Sequence, residues 1–206
     1  MKSITKNAKE LLKRRDLLNY EIDDDILKLF KNELEKYRKA IINSENEKET
    51  EEHCKGIFKD LLVNSFGYNC NTKGKIDLVI KYDDVIKTII ETKNYDNEKE
   101  MIKDNDYFHK GFYQIILYYY RSRQTNENKN LNIDNIIITD YKDVYLFLKD
   151  DFENIINDKQ IINYFKNNSK IKNETFYSIC GGFLKKINID IVGYKINLFV
   201  FFDFSQ

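Results

Sequence analysis

Gly74-Lys75-Ile76-Asp77-Leu78-Val79-Ile80-Lys81-Tyr82 leads into Asp83-Asp84, and Val85-Ile86-Lys87-Thr88-Ile89-Ile90-Glu91-Thr92-Lys93 follows. Two β-branched runs flank a turn-forming pair, and this spacing predicts a β-hairpin. Side chains alternate between the faces of a strand, so Glu91 and Lys93 share one face while Ile90 and Thr92 take the other. A turn at Asp83-Asp84 brings Asp77 back toward Glu91. Two carboxylates and an ammonium are therefore expected to meet at the end of a sheet, each fed in by an apolar strand.

That set suits phosphodiester hydrolysis. A hard divalent cation on oxygen ligands polarises a phosphate and lowers the pKa of its bound water. Two carboxylates, Asp77 and Glu91, leave most of the coordination shell to water and to substrate phosphate. A lysine beside them, Lys93, orients the attacking water and neutralises charge as it develops.

Upstream of the hairpin, the first fifty residues read as helix. Ile26, Leu27, Leu29, Phe30, Leu34, Tyr37, Ile41 and Ile42 recur at helical spacing. Residues 1–45 are expected to form a helical extension packed on a core of 46–206. A second helix runs from about Glu51 to Ser65 with Cys54, Ile57, Phe58, Leu61 and Leu62 on its apolar face, and Gly67 is its stop signal. Downstream, Asn94 to Asn105 is polar and reads as a loop, and Phe108 to Arg123 as helix. Ile136–Thr139 and Val144–Leu148 form a further strand pair around Asp140–Asp143. A helix over Asp151–Phe165 follows, then one over Phe176–Leu184 interrupted by Gly181-Gly182. Ile189 to Phe204 reads as strand. The order predicts a mixed α/β fold around one sheet.

Composition narrows the function classes. Lys+Arg and Asp+Glu both number 34, so the net charge is zero and a histone-like polybasic binder is excluded. A local basic cleft beside an acidic metal site remains compatible with that balance. The chain has no Pro and no Trp, and is rich in Lys, Asn, Ile and Tyr, as AT-rich coding sequence is. A lone Asn or Lys near a motif therefore carries little weight. Cys54, Cys70 and Cys180 are odd in number and far apart, which argues against a disulfide framework or a zinc site and for a reducing compartment. The opening residues hold no apolar core of a signal peptide, and no run approaches the ~18 apolar residues of a membrane span. A cytoplasmic protein without a membrane partner is expected. His53 and His109 lack a second His or Cys at ligand spacing.

Asp77 followed by Glu91-Thr92-Lys93 resembles the PD-(D/E)XK nuclease superfamily, with Ile76 in place of the motif's proline. The resemblance implies a restriction-endonuclease-like fold: a mixed central sheet flanked by helices. It also implies a Mg²⁺ cofactor, with Mn²⁺ as a substitute, on Asp77 and Glu91. The superfamily often carries a Glu on the helix before the hairpin. Helical phase favours Glu51, near the centre of the face made by Cys54, Phe58, Leu61 and Leu62, over Glu52, which is turned about a hundred degrees away. Gln114 and Tyr118 match the Q-x-x-x-Y element of RecB-like branches, in which the Gln hydrogen-bonds within the active site; Tyr118 reads as core. Lys73, Lys75, Arg121 and Arg123 are candidate contacts to a DNA backbone.

These segments, with Leu117-Tyr118-Tyr119-Tyr120-Arg121 and Ile136–Asp140, occur in the order of the N-terminal nuclease region of type IIG restriction-modification enzymes. Those enzymes continue into an adenine methyltransferase, whose N-P-P-Y motif a chain without proline lacks. The resemblance therefore implies a DNA endonuclease acting on double-stranded DNA. It would stand alone, be part of a longer enzyme, or work with a methyltransferase or specificity subunit on another polypeptide, and a homodimer fits because one centre cuts one strand. The alternative is a catalytically inactive nuclease-fold module that docks a methyltransferase or DNA.

Overall fold

The computed structural model describes residues 2–17, 21–124, 131–156, 159–167, 172–186, 188 and 190–200. In chain order the elements are β1 (Lys2–Asn7), α1 (Ala8–Arg14), α2 (Asp24–Glu47), α3 (Glu51–Phe66), β2 (Asn69–Lys73), β3 (Ile76–Tyr82), β4 (Val85–Thr92), α4 (Lys110–Gln124), β5 (Leu131–Thr139), β6 (Asp143–Leu148), α5 (Lys149–Ile156), α6 (Lys159–Asn167), α7 (Asn173–Leu184) and β7 (Asp190–Asn197). They build a mixed α/β fold on a seven-stranded sheet of order β1-β7-β6-β5-β4-β3-β2. The pairs β4–β5 and β1–β7 are parallel and the others antiparallel. Parallel neighbours need a crossover, and α4 supplies it between β4 and β5.

The expected hairpin is β3–β4. Asp83 and Asp84 both take positive φ, 48° and 61°, the two-residue turn whose twist matches that of the strands it joins. Alternation along β3 and β4 feeds two cores. Val79 and Ile89 face a cluster with Phe112, Ile115 and Ile116 of α4, Phe152 of α5 and Phe176 of α7. Leu78 and Ile90 face the opposite cluster with Leu34, Tyr37 and Ile41 of α2 and Cys54, Phe58 and Leu61 of α3. Helix α3 is bounded as the sequence signals require. The Thr50 hydroxyl accepts from the His53 N–H, and Gly67 closes the helix at φ 64°.

Several expectations are corrected. The first fifty residues are not all helical, because Lys2–Asn7 form an edge strand paired with β7. Asn69–Lys73, a polar stretch that carries no strand signal of its own, pairs with β3 at the other edge. The helix expected over Asp151–Phe165 is two helices, one ending at Ile156 and the next beginning at Lys159. Gly181-Gly182 do not interrupt α7. A Cβ on Gly181 would lie 2.8 Å from the Tyr113 hydroxyl, so the missing side chain lets α4 approach. The C-terminal strand ends at Asn197, Leu198–Val200 form a turn, and Ile189 and Phe201–Phe204 lie outside the described residues. No helix among the described residues is long and apolar enough to cross a membrane.

Close packing at β7 yields a stability prediction. A Cβ on Gly193 would stand 2.7 Å from Phe147 Cε1 and 2.8 Å from the Tyr107 hydroxyl, and both rings are fully buried. Gly193→Ala is expected to cost about 1–3 kcal/mol, read as a lower urea midpoint at unchanged m-value. An unchanged midpoint would show that the two rings give way freely.

Candidate active site

The sheet ends between the start of α3 and the start of α4, and there the pairing of β3 with β4 changes character. Registered pairs stop at Leu78–Ile90. Beyond them, Thr92 donates both its N–H and its hydroxyl to Asp77 Oδ2, at 2.9 and 3.0 Å. A carboxylate thus takes the place of a main-chain partner, which fixes Asp77 and leaves Oδ1 directed elsewhere. Lys55 Nζ of α3 lies 3.6 Å from that Oδ1.

Glu91 and Lys93 are the most deeply buried charges of the site. Their side chains are 2% and 5% exposed, and Lys93 donates to Glu91 Oε1 at 2.5 Å. The second oxygen, Oε2, is buried without any hydrogen bond. Burial pushes the Glu91 carboxyl up to about 8; Lys93 opposes this, and the charges of Asp77 and Glu51 add to it. Glu51 is also raised, chiefly by burial, with Lys93 opposing and Asp77 reinforcing. These mutual effects place Asp77, Glu91, Lys93 and Glu51 in one electrostatic cluster.

Each remaining candidate has a definite position. Glu51, the first residue of α3, accepts from the Asn94 N–H at 3.2 Å. Glu52 points away, is 75% exposed and pairs with Lys55. The Gln114 amide hydrogen-bonds Tyr118 and Tyr177, two phenols that both feel the charge of Glu91. Its Oε1, like Asn94 Oδ1, is buried without a partner. Lys73 and Lys75 are exposed around the β2–β3 turn, on the approach to Asp77. Arg121 instead binds Asn173 Oδ1 at 2.9 Å and ties α4 to α7, while the Arg123 side chain lies outside the described residues. His53 is exposed, and His109 hydrogen-bonds the Lys99 carbonyl.

Sequence reasoning missed Lys55, Thr92, Asn94, Tyr141 and Tyr177. Only Lys55 had a local signal, its i,i+4 spacing from Glu51. Thr92 was assigned to the opposite face, where it also hydrogen-bonds Tyr141. Tyr141 follows β5 in the left-handed region at φ 74°, and its hydroxyl donates to the Glu51 carbonyl at 3.0 Å. Its own carbonyl accepts from Tyr37 at 2.5 Å, so α2, α3 and the end of β5 are tied at the site. Strain at such a residue persists only where surrounding contacts over-determine it.

Among the described residues, no three His, Cys, Asp or Glu side chains form a metal-holding group. The donors that fit a hard cation are the Asp77 and Glu91 carboxylates, which leave the rest of the shell to water and phosphate oxygens. Thr92→Val would keep the N–H bond to Asp77 and remove the hydroxyl bond. With the hydroxyl's bond to Tyr141 lost as well, it is expected to cost about 1–2 kcal/mol by urea denaturation, and a cost near zero would mean that the hydroxyl holds neither partner.

A family model described as a domain of unknown function (DUF7149) matches residues 6–204, and the chain belongs to that family. No curated protein and no solved structure matches it.

Proposed function

We propose that this member of the DUF7149 family is a Mg²⁺-dependent DNA endonuclease of the PD-(D/E)XK type, working in the cytoplasm within a restriction-modification system. The observation that carries the reading is the Glu91 carboxylate, buried beside Asp77 with one oxygen on Lys93 and the other without a partner. Leaving a buried carboxyl oxygen without a hydrogen bond is costly, and such groups persist where they bind something. A mixed central sheet flanked by helices, with the cluster at its end, supports the same reading.

In this reading Asp77 and Glu91 hold Mg²⁺, with Mn²⁺ as a substitute. Bound there, the ion supplies Lewis acidity to the scissile phosphate and acidifies water. Lys93 holds the attacking water by its ammonium and offsets negative charge growing on the phosphate. The free Gln114 oxygen accepts a proton of a site water, and Glu51 keeps the Asn94 backbone in place. Lys73 and Lys75 meet phosphates flanking the cut. A methyltransferase and the specificity determinants reside outside these residues, and a double-strand break takes two such centres, hence a dimer or two visits.

The test incubates the purified chain with supercoiled plasmid and Mg²⁺, against an EDTA control, alone and with any methyltransferase encoded beside it. Nicking or linearisation that needs the metal is expected, and an intact plasmid under both conditions would overturn the reading. One observation favours a second reading, a catalytically inactive module that docks a partner. Phe30, Phe66 and Tyr68 stack at 5.2 and 5.3 Å, and Phe66 and Tyr68 stay 44% exposed. Exposed aromatic rows of this kind are common at protein interfaces. That module would bind its partner and leave DNA uncut.

A further inference from the structure

Lys55 is a cation beside the cluster that the reading above does not use. It sits one helical turn beyond Glu51 on α3, so the two side chains lie on neighbouring lines of the same helix face. Although charged, it is only 12% exposed. Its ammonium is held inward between Glu52 and Asp77 Oδ1. The other Asp77 oxygen is already committed to the N–H and hydroxyl of Thr92. Oδ1 is therefore the Asp77 oxygen with room for a further cation, and Lys55 faces it.

Lys93 cannot do the same work. Its ammonium is buried against Glu91 and is itself the partner that opposes the upward shift of the Glu91 carboxyl. Glu52 is 75% exposed and gives Lys55 only a solvent-screened hold. The Lys55 ammonium is thus the less enclosed of the two, attached by a four-carbon stem to a helix that α2 and the sheet hold in place.

We propose that Lys55 is a phosphate-binding residue of this site and that Asp77 stores its ammonium until substrate arrives. The proposal rests on the nuclease reading and assigns a second lysine to it. A divalent ion on Asp77 Oδ1 brings two positive charges close to the ammonium and repels it. The DNA phosphate that arrives with the ion offers a new negative partner, and Lys55 turns from Oδ1 to a non-bridging phosphate oxygen. No bond is made or broken in this step; one ammonium exchanges a carboxylate for a phosphate. Stored in this way, Lys55 screens Asp77 while no cation is bound, and it lowers the barrier that the acidic cluster would otherwise raise against a polyanion.

Two opposite effects follow, and together they separate this role from a merely structural one. Lys55→Met keeps the apolar stem and removes the charge. Binding of Ca²⁺ and of Mn²⁺ without DNA, followed by calorimetry, is expected to tighten about tenfold because a repelling charge is gone. Binding of a mixed-sequence DNA duplex in Ca²⁺ is expected to weaken, with the slope of log affinity against log salt falling by about 0.9, the share of one phosphate contact. Lys55→Arg is expected to keep the slope, and Lys55→Gln repeats the measurement should the Met variant melt early. Metal affinity unchanged or weakened on loss of the charge overturns the proposal, as does an unchanged salt slope. If the wild-type chain itself binds neither ion, the nuclease reading fails and this proposal falls with it, whereas wild-type metal binding with the wrong response at Lys55 removes the proposal alone.

Discussion

Lys93→Ala is expected to lower metal-dependent plasmid cleavage by about a thousandfold while the chain stays folded. Both halves of that result come from the burial of its partner. Removing one member of a buried ion pair ordinarily costs about 3–5 kcal/mol, because the other charge is left alone in a poor solvent. Glu91 has an escape, since its carboxyl is already pushed up to about 8 and Lys93 is the main influence holding it down. Without the lysine it holds its proton to still higher pH and stays a neutral buried acid. The fold survives, but the site loses its ammonium, and its Glu91 ligand gives up its proton to a metal less readily. Asp77→Ala is expected to give a similar loss for a different reason. It removes the other ligand and leaves the N–H and hydroxyl of Thr92 without their acceptor. Asp77→Asn restores that acceptor without restoring the charge, so it should recover thermal stability and not activity. Circular dichroism melts run beside the cleavage assay check both halves. Cleavage that persists in both alanine variants would trace the activity to something other than this cluster.

What was legible in the sequence divides along a physical line. The hairpin was legible because its signals are local: alternating β-branched residues, and two aspartates that tolerate positive φ at the turn. The choice of Glu51 over Glu52 was legible too, since helical phase alone turns Glu52 outward to 75% exposure. Elements stabilised from far away were not legible. Lys-Ser-Ile-Thr-Lys-Asn at 2–7 is a strand because Lys2 finds Asp190 and Ser3 finds Ile191, partners near the other end of the chain. Asn-Cys-Asn-Thr-Lys at 69–73 has little strand propensity and takes its form from β3 beside it. Gly181-Gly182 read as a break, yet the space left at Gly181 is filled by Tyr113 of another helix. At the site the same division holds. The D…E-x-K spacing gave Asp77, Glu91 and Lys93, whereas Asn94, Tyr141 and Tyr177 reach the cluster only through tertiary packing. Thr92 was placed on the face of Ile90, as alternation requires, but its bond to Asp77 was not legible, because it forms only where the β3–β4 pairing ends and the Thr92 N–H turns to a side chain.

Binding of a divalent ion is expected to weaken about tenfold for each pH unit below about 8, so that near pH 6 it is about a hundredfold weaker than on the plateau. The folded carboxyl of Glu91 ionises at about 8 against an ordinary value of 4.5, with burial as the largest cause. Between those limits the folded chain keeps a proton that the unfolded chain has released. Metal-free stability contributed by this group is therefore present below about pH 4.5 and is lost as pH rises toward 8. A cation on Glu91 Oε2 replaces that proton, so ion and proton compete and each ion bound near pH 6 should release about one proton. Calorimetry in two buffers of different ionisation enthalpy counts it. The carboxyl of Glu51 is raised as well, chiefly by burial. Lys93→Ala supplies the internal control. Since Lys93 holds the Glu91 carboxyl down, its loss should move the plateau to higher pH and leave the slope below it unchanged. An affinity that stays flat from about pH 6 to 8 would mean that the cation binds without Glu91, and the unmatched oxygen would then need another explanation.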